Sequence, residues 1–350
     1  MMKVSIYDVA NLAGVSISTV SRVLNKSGYV SSKTEKKVYD AVEKLNFIPN
    51  VVAQNLANSE TKLIGLYFPF LFDSKGTTSS TYILEFIKGV NEVLIQRGYH
   101  LLLINEMNDN EQILNNQCRP QYYSFIKQKR IDGLILGSNP IQCSSFFDLL
   151  DQKMPMVYIG EKVFNQTGLN VYAQYKQYSR NILNYFYCKN HKSITALSIE
   201  KERMSSVIRE FEIEKKDEEL KVEQYLSPSN LDSYLTLLEK IFKQENKPTA
   251  LWVEDISKVQ QTINFLNNLN LKVPNDVSII TVEHKFQDGE QCLPAVTSVH
   301  VPSYEMAVKA ATLLFEYMQG NQSFCNEIIV DTKIIERDSV QSIASMESKI

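Results

Sequence analysis

Residues 6–13 place apolar side chains at Ile6, Val9, Ala10 and Ala13, the spacing of one helical face. Gly14 breaks the run and supplies the permissive backbone of a tight helix–helix turn. Ser16 then caps a second helix, Ile17–Asn25, whose inward residues are Val20, Val23 and Leu24. Ser32 and Glu35 read as a capping box opening a third helix, with Val38, Ala41, Val42 and Leu45 as its stripe and Phe47-Ile48-Pro49 as its end. Asn50–Ala57 is a short helix candidate, too short to stand alone in water, and 58–62 is a polar linker.

From Leu63 the period changes. Strand runs at Leu63–Phe68, Leu101–Ile104, Gly133–Leu136, Met156–Ile159, Ile194–Ser198, Ala250–Val253 and Val277–Val282 alternate with amphipathic helices at Ile83–Gln96, Tyr122–Lys129, Phe146–Asp151, Tyr178–Tyr187, Leu231–Lys243 and Ser257–Leu269. Such alternation predicts parallel sheets covered on both faces. The length suits two lobes, with a ligand cleft outside the carboxyl ends of the strands. Glu210–Glu223, dense in Glu and Lys, reads as a solvated helix or loop surface.

Composition alters this picture in one respect. The chain of 350 residues carries a net charge of −3, yet residues 1–59 hold seven Lys or Arg against four Asp or Glu. A positive head on an acidic body can dock on phosphates while the body stays off the DNA. Five scattered cysteines without a CxxC pair indicate neither a disulfide framework nor a zinc site. The four histidines have no metal-ligand spacing, and no phosphate loop or nucleophile elbow occurs. The expectation is therefore no catalytic residues, no metal, no cofactor and no enzyme. The lack of a long apolar run argues against a membrane span or an export signal, and for the cytoplasm.

A helix-turn-helix lays its second helix in the major groove. Here Ile17, Ser18 and Arg22 would reach base edges, with Arg22 the strongest reader because its fork fits guanine O6 and N7. Tyr7, Ser21, Asn25, Ser31 and Thr34 can donate to phosphates. Ser16 and Thr19 complete the DNA-facing set of the first two helices.

The string Ile6-Tyr7-Asp8-Val9-Ala10-x-x-Ala13-Gly14-Val15-Ser16-x-x-Thr19-Val20-Ser21-Arg22-Val23-Leu24-Asn25, continued by Val30-Ser31-x-Lys33-Thr34 and by Leu45-Asn46-Phe47-Ile48-Pro49-Asn50-x-Val52-Ala53-Gln54-x-Leu56-Ala57, closely resembles the headpiece of the LacI/GalR repressor family. The likeness continues through Lys129-x-Ile131-Asp132-Gly133-Leu134-Ile135, Val273-Pro274-Asn275-Asp276-Val277-Ser278 and Pro294-Ala295-Val296-Thr297-Ser298-Val299. It implies an all-α helix-turn-helix headpiece (1–48), a hinge helix and linker (49–61), a two-lobed α/β core of periplasmic-binding-protein-like fold (62–340) and a polar tail (341–350). It further implies a repressor of carbohydrate-utilisation genes that binds a pseudo-palindromic operator in double-stranded DNA as a homodimer. The hinge residues Asn50, Ala53, Gln54 and Leu56 would contact DNA, Leu56 wedging into the minor groove. Phe47 departs from the family's usual Tyr.

The effector positions diverge further. Arg203-Met204-Ser205-Ser206-Val207 stands for the family's effector-arginine string, Glu254-Asp255 for its Asn-Asp pair, Val282-Glu283-His284 for Phe-Asp-Asp and Gly160 for an Asp. Arg203, Glu254 and Glu283, with Phe72, Tyr82 and Tyr225 as aromatic platforms, are the expected ligand contacts. Phe70 and Tyr158 are weaker aromatic candidates. A small sugar effector is the expected ligand. An altered or degenerate effector site, with constitutive or protein-corepressor control, is the competing reading; an exported sugar-binding protein would share the core but not the headpiece.

Overall fold

The computed structural model describes residues 4–25, 27–48, 60–69, 80–106, 110–138, 141–152, 154–161, 169–199, 201–320 and 326–343. The chain divides into two compact units, Met1–Thr61 and Lys62–Ile350.

Among the described residues the first unit holds three helices, α1 (Ile6–Ala13), α2 (Ile17–Leu24) and α3 (Ser32–Lys44). Each starts on a serine. At α1 the Asp8 carboxylate reaches back to the Ser5 amide at 2.8 Å and the Ser5 hydroxyl at 2.7 Å. These bonds, the side-chain one first, hold its pKa below the usual carboxylate range. Ser16 Oγ accepts from the Thr19 amide at 3.2 Å, and Ser31 Oγ from the Thr34 amide at 3.3 Å. The cap of α3 is thus Ser31, and Ser32, expected from its spacing to Glu35, is the first helical residue. Gly14 closes α1 in the left-handed region at φ 66°. Asn46, at φ 47°, takes the corresponding place after α3, and the Phe47 amide returns to the Val42 carbonyl at 2.9 Å. The stop signal of α3 is therefore Asn46, ahead of Pro49. Val9, Val20, Val23, Val38 and three alanines make a small buried core.

The second unit holds two six-stranded sheets. Sheet one contains β1 (Leu63–Phe68), β2 (His100–Asn105), β3 (Gly133–Leu136), β4 (Met156–Ile159), β5 (Leu169–Tyr172) and the late β11 (Glu327–Ile329), ordered β11-β5-β4-β3-β1-β2. Sheet two contains β6 (Ser193–Ser198), β7 (Lys221–Leu226), β8 (Ala250–Asp255), β9 (Ser278–Glu283), β10 (Thr297–His300) and β12 (Lys333–Ile335), ordered β12-β10-β9-β8-β6-β7. All pairings are parallel except β10 with β12. β3, β4 and β5 are buried throughout, as runs covered on both faces must be.

The helices of this unit are α4 (Ser80–Gln96), α5 (Asn110–Leu114), α6 (Gln121–Lys127), α7 (Ser144–Asp151), α8 (Tyr175–Cys188), α9 (Lys201–Lys215), α10 (Leu231–Phe242), α11 (Val259–Asn268) and α12 (Ser303–Met318). The strand–helix rhythm matches the expectation, and α5, α9, β5, β7, β10, β11 and β12 are further elements. The acidic-basic run 210–223 spans the end of α9, the turn 216–220 and the start of β7; it is largely solvated, as expected, but buries Phe211 and Leu220.

The chain passes between the sheets three times among the described residues: through Ala173-Gln174, through Val301-Pro302 and through 330–332. After the second passage α12 returns to pack on α4. Gly89 lets the two helices approach closely: a Cβ there would lie 2.5 Å from the Tyr304 carbonyl oxygen and 2.8 Å from the Ala307 Cβ. Among the described residues no helix is long and apolar enough to cross a membrane.

Candidate DNA-reading helix and inter-lobe cleft

α2 has two edges. Val20 and Val23 are buried in the small core, while Ile17, Ser18 and Arg22 are exposed. Ser21 and Asn25 are half-buried, the Asn25 amide donating to Ser21 Oγ at 3.2 Å. Ser16 Oγ lies 2.8 Å from both Ser18 Oγ and Thr19 Oγ1, and Ser31 Oγ 2.9 Å from Thr34 Oγ1. These hydroxyls build the helix starts, and each keeps a lone pair or proton for another partner. Tyr7 is exposed on α1. Tyr29, not singled out from the sequence, is 95% exposed in the turn between α2 and α3. An aromatic hydroxyl in a helix-turn-helix loop was the available signal. Asn50, Ala53, Gln54 and Leu56 lie outside the described residues, as do Phe70 and Phe72.

In the core, residues just after β9 and at the end of β8 meet residues near the starts of α4, α8 and α9. Three expected ligand residues come together there. The Arg203 guanidinium lies over the Tyr175 ring at 3.8 Å from its centroid. The Tyr175 and Tyr178 rings meet edge to face at 5.2 Å. Burial, reinforced by the Glu254 charge, pushes both tyrosine hydroxyls well above their usual range, while Arg203 opposes the shift. From lobe one, Tyr82 donates to the Gly137 carbonyl at 2.5 Å and meets the His284 ring at 5.1 Å. His284 is held by Ser303 Oγ at 3.0 Å, and burial pushes its pKa down to about 4. The imidazole is therefore neutral at ordinary pH. Tyr175 and Tyr178 were not singled out in the sequence; His284 stood in the string Val282-Glu283-His284, of which only Glu283 was expected to contact a ligand. Tyr175 and Tyr178, three apart at the start of α8, share a helical face, but that face is equally a core signal.

Two expected ligand contacts, Glu283 and Tyr225, and the weaker candidate Tyr158 are engaged inside the protein. Glu283 is wholly buried and pairs with Arg337 at 3.1 Å, while its Oε2 also accepts from the Gly289 amide at 2.9 Å. Arg337 in turn donates to the Val296 carbonyl at 2.7 Å and Ser298 Oγ at 2.9 Å. A carboxylate satisfied by a buried guanidinium tethers β12 to β9. Tyr225 donates to Glu223 at 2.8 Å and accepts from Gln244 at 3.0 Å, on the edge strand β7. Tyr158 is a core residue packed edge to face on Phe146. Glu254 is near the cleft, yet its Oε2 accepts from the Ile199 amide at 2.7 Å. Among the described residues no cluster of His, Cys, Asp and Glu could hold a metal ion.

A helix-turn-helix unit preceding a two-sheet core crossed three times defines a class: DNA-binding regulators with a ligand-binding-type body. Comparison with known proteins agrees. The model of bacterial regulatory proteins of the lacI family matches residues 5–50, and the periplasmic binding protein-like domain matches residues 183–340. The chain is 28% identical to the probable HTH-type transcriptional repressor ExuR of Bacillus subtilis (strain 168), over 98% of this chain and 100% of that protein. It is 29% identical to the HTH-type transcriptional repressor PurR of Histophilus somni (strain 2336), over 97% and 99%. It is 27% identical to catabolite control protein A of Priestia megaterium, over 96% of each. The fold matches the lac repressor dimer bound to operator and the anti-inducer ONPF with a TM-score of 0.79 at 20% identity, covering 97% of this chain and 99% of that one. A complex of the transcriptional regulator CelR with cellobiose matches with a TM-score of 0.63 at 20% identity, over 96% and 99%. Residues 5–50 are a DNA-binding domain of the lacI type, and the chain resembles LacI-family transcriptional repressors over nearly its whole length.

Proposed function

We propose that this repressor grips a pseudo-palindromic operator as a homodimer, and that a small ring-shaped effector of the carbohydrate class, seated between the lobes, sets its affinity for DNA. The observation that carries the reading is the division of α2 into a buried edge at Val20 and Val23 and an exposed edge at Ile17, Ser18 and Arg22. A helix with that division fits a major groove while its inner edge holds the headpiece together. In this reading Arg22 reads a guanine and Ile17 meets a thymine methyl. Ser18 contributes a less specific base contact. Tyr7, Ser16, Thr19, Ser21, Asn25, Ser31 and Thr34 position the headpiece on phosphates. Asn50, Ala53, Gln54 and Leu56 act as the hinge in the minor groove. One headpiece makes too few contacts for a specific site, so two copies bind two half-sites. The protein works in the cytoplasm, within the segments 1–48, 49–61, 62–340 and 341–350 read from the sequence, and carries out no catalysis.

The effector half of the proposal is supported by Arg203, Tyr175, Tyr178 and Tyr82 gathering at the strand ends. A second reading, an effector site altered away from neutral sugars, is favoured by the engagement of Glu254 and Glu283 inside the protein. Genome-wide mapping of bound sites tests the DNA half. It should return a two-fold symmetric sequence, and Arg22→Ala should lose about 1–3 kcal/mol at one position of each half-site. Sites without symmetry, or uniform weakening across all sequences, would remove Arg22 as a base reader and the dimer with it.

A further inference from the structure

We infer that the cleft is built for an anion: a small ring compound bearing one carboxylate or phosphate, with that group on Arg203. The inference rests on the proposal that the cleft takes an effector, and it names the ligand's charge. A neutral polyol needs acceptors for its hydroxyl protons, and a buried hydroxyl left unpaired is costly. The ionised acceptors at the ends of β8 and β9 are turned back into the protein. Glu254 is bonded to the Ile199 amide just ahead of α9. Asp255 accepts from the Ser257 amide at 3.0 Å and its hydroxyl at 2.8 Å. Glu283 is saturated by Arg337 and Gly289.

The donors are disposed in the opposite way. Arg203 stacks its flat face on Tyr175 at 3.8 Å, and among the described residues no hydrogen bond or ion pair engages its guanidinium. Stacking fixes the plane and leaves the N–H groups at its edge, the fork that grips a carboxylate or phosphate with two parallel bonds. Tyr178, 5.2 Å from Tyr175, extends the aromatic wall from lobe two. Tyr82 and His284, 5.1 Å apart, bring lobe one against it. Both tyrosines of α8 stay protonated at working pH. The site thus sets beside a group of aromatic rings one cation that no hydrogen bond or ion pair engages among the described residues.

Titration calorimetry on the full chain tests this with probes matched in pairs: glucose against glucuronate and glucose phosphate, the galactose counterparts of each, and benzyl alcohol against benzoate. The charged member of at least one pair should bind ten- to a hundred-fold more tightly than its neutral parent, the range expected for a charge-assisted pair. Whether a carboxylate or a phosphate gives the preference names the group. Arg203→Ala should level the pairs, and Arg203→Lys, which keeps the charge but not the fork, should restore part of the preference. Neutral members binding as well as charged ones, or a preference that survives Arg203→Ala, would overturn the anion inference while leaving the effector proposal standing. If no probe binds and none changes operator affinity, the effector proposal falls and takes the inference with it.

Discussion

The headpiece and the core treat their polar side chains in opposite ways. The headpiece buries a few valines and alanines and turns outward the side chains proposed to meet DNA. Even the serines that cap its helices stay at the surface. The core has a much larger buried interior and folds several groups expected at its ligand site into it, pairing Glu283 with Arg337 and Glu254 with a backbone amide. A surface that reads a large external partner can be presented by single helices. A cleft that encloses a small one is assembled from strand ends far apart in the chain, where a carboxylate may equally serve the ligand or the fold.

The largest test of this contrast is at the internal pair. Glu283→Ala leaves a buried guanidinium without its partner and should cost the core about 3–5 kcal/mol, measured by denaturant unfolding. Replacing both Glu283 and Arg337 by Met should recover much of that loss, because the desolvation of two charges disappears as well. A loss confined to ligand affinity, with stability unchanged, would return Glu283 to the effector site and dissolve the contrast.

Acid should separate the two units next. Burial holds the folded pKa of His284 at about 4, below the unfolded value of about 6.5. The unfolded chain therefore binds the extra proton between those values. The stabilisation is complete above pH 6.5 and is lost as pH falls toward 4, roughly 3 kcal/mol in all. His191 and His300, whose pKa values burial also lowers, act in the same direction. All four histidines belong to the core. Its melting temperature should fall through this window, and His284→Asn should flatten the slope. A headpiece that melts earlier over the same range would contradict the assignment, since its depressed carboxyl, Asp8, loses its contribution only at lower pH.

The smallest effect distinguishes the two serines at the start of α3. Ser31→Ala should cost the headpiece about 1 kcal/mol, and Ser32→Ala only a few tenths. Thermal unfolding with the order reversed would restore Ser32 as the cap.

These outcomes also explain what could be read in advance. α1, β1, β3 and β4 match their expected bounds because their signals are local: a 3.6-residue stripe with Gly14 behind it, and apolar runs of strand length. The exposed edge of α2 was legible for the same reason. Arg203 is singled out by a motif and Tyr82 by its place near a strand end. Glu283 and Tyr225 are engaged by remote partners. Glu283 meets Arg337, 54 positions away, and Tyr225 turns to Gln244 across a helix. Nothing in the sequence around either residue carries that information. Tyr175 and Tyr178 were overlooked because an aromatic pair on a helix looks the same whether it faces a core or a cleft.

The three short passages between the sheets set a limit on modular exchange. Neither lobe is a continuous stretch of chain: lobe one is completed by α12 and β11, which follow most of lobe two, and lobe two by β12, which follows both. A chimaera that borrows one whole lobe from a relative needs splices at Ala173-Gln174, at Val301-Pro302 and within 330–332 together. A single junction near Ala173 would join α12 of one parent to α4 of the other, across the contact that Gly89 keeps open. Ligand specificity in this architecture is therefore more readily inherited as a whole core, or altered side chain by side chain, than traded by lobes.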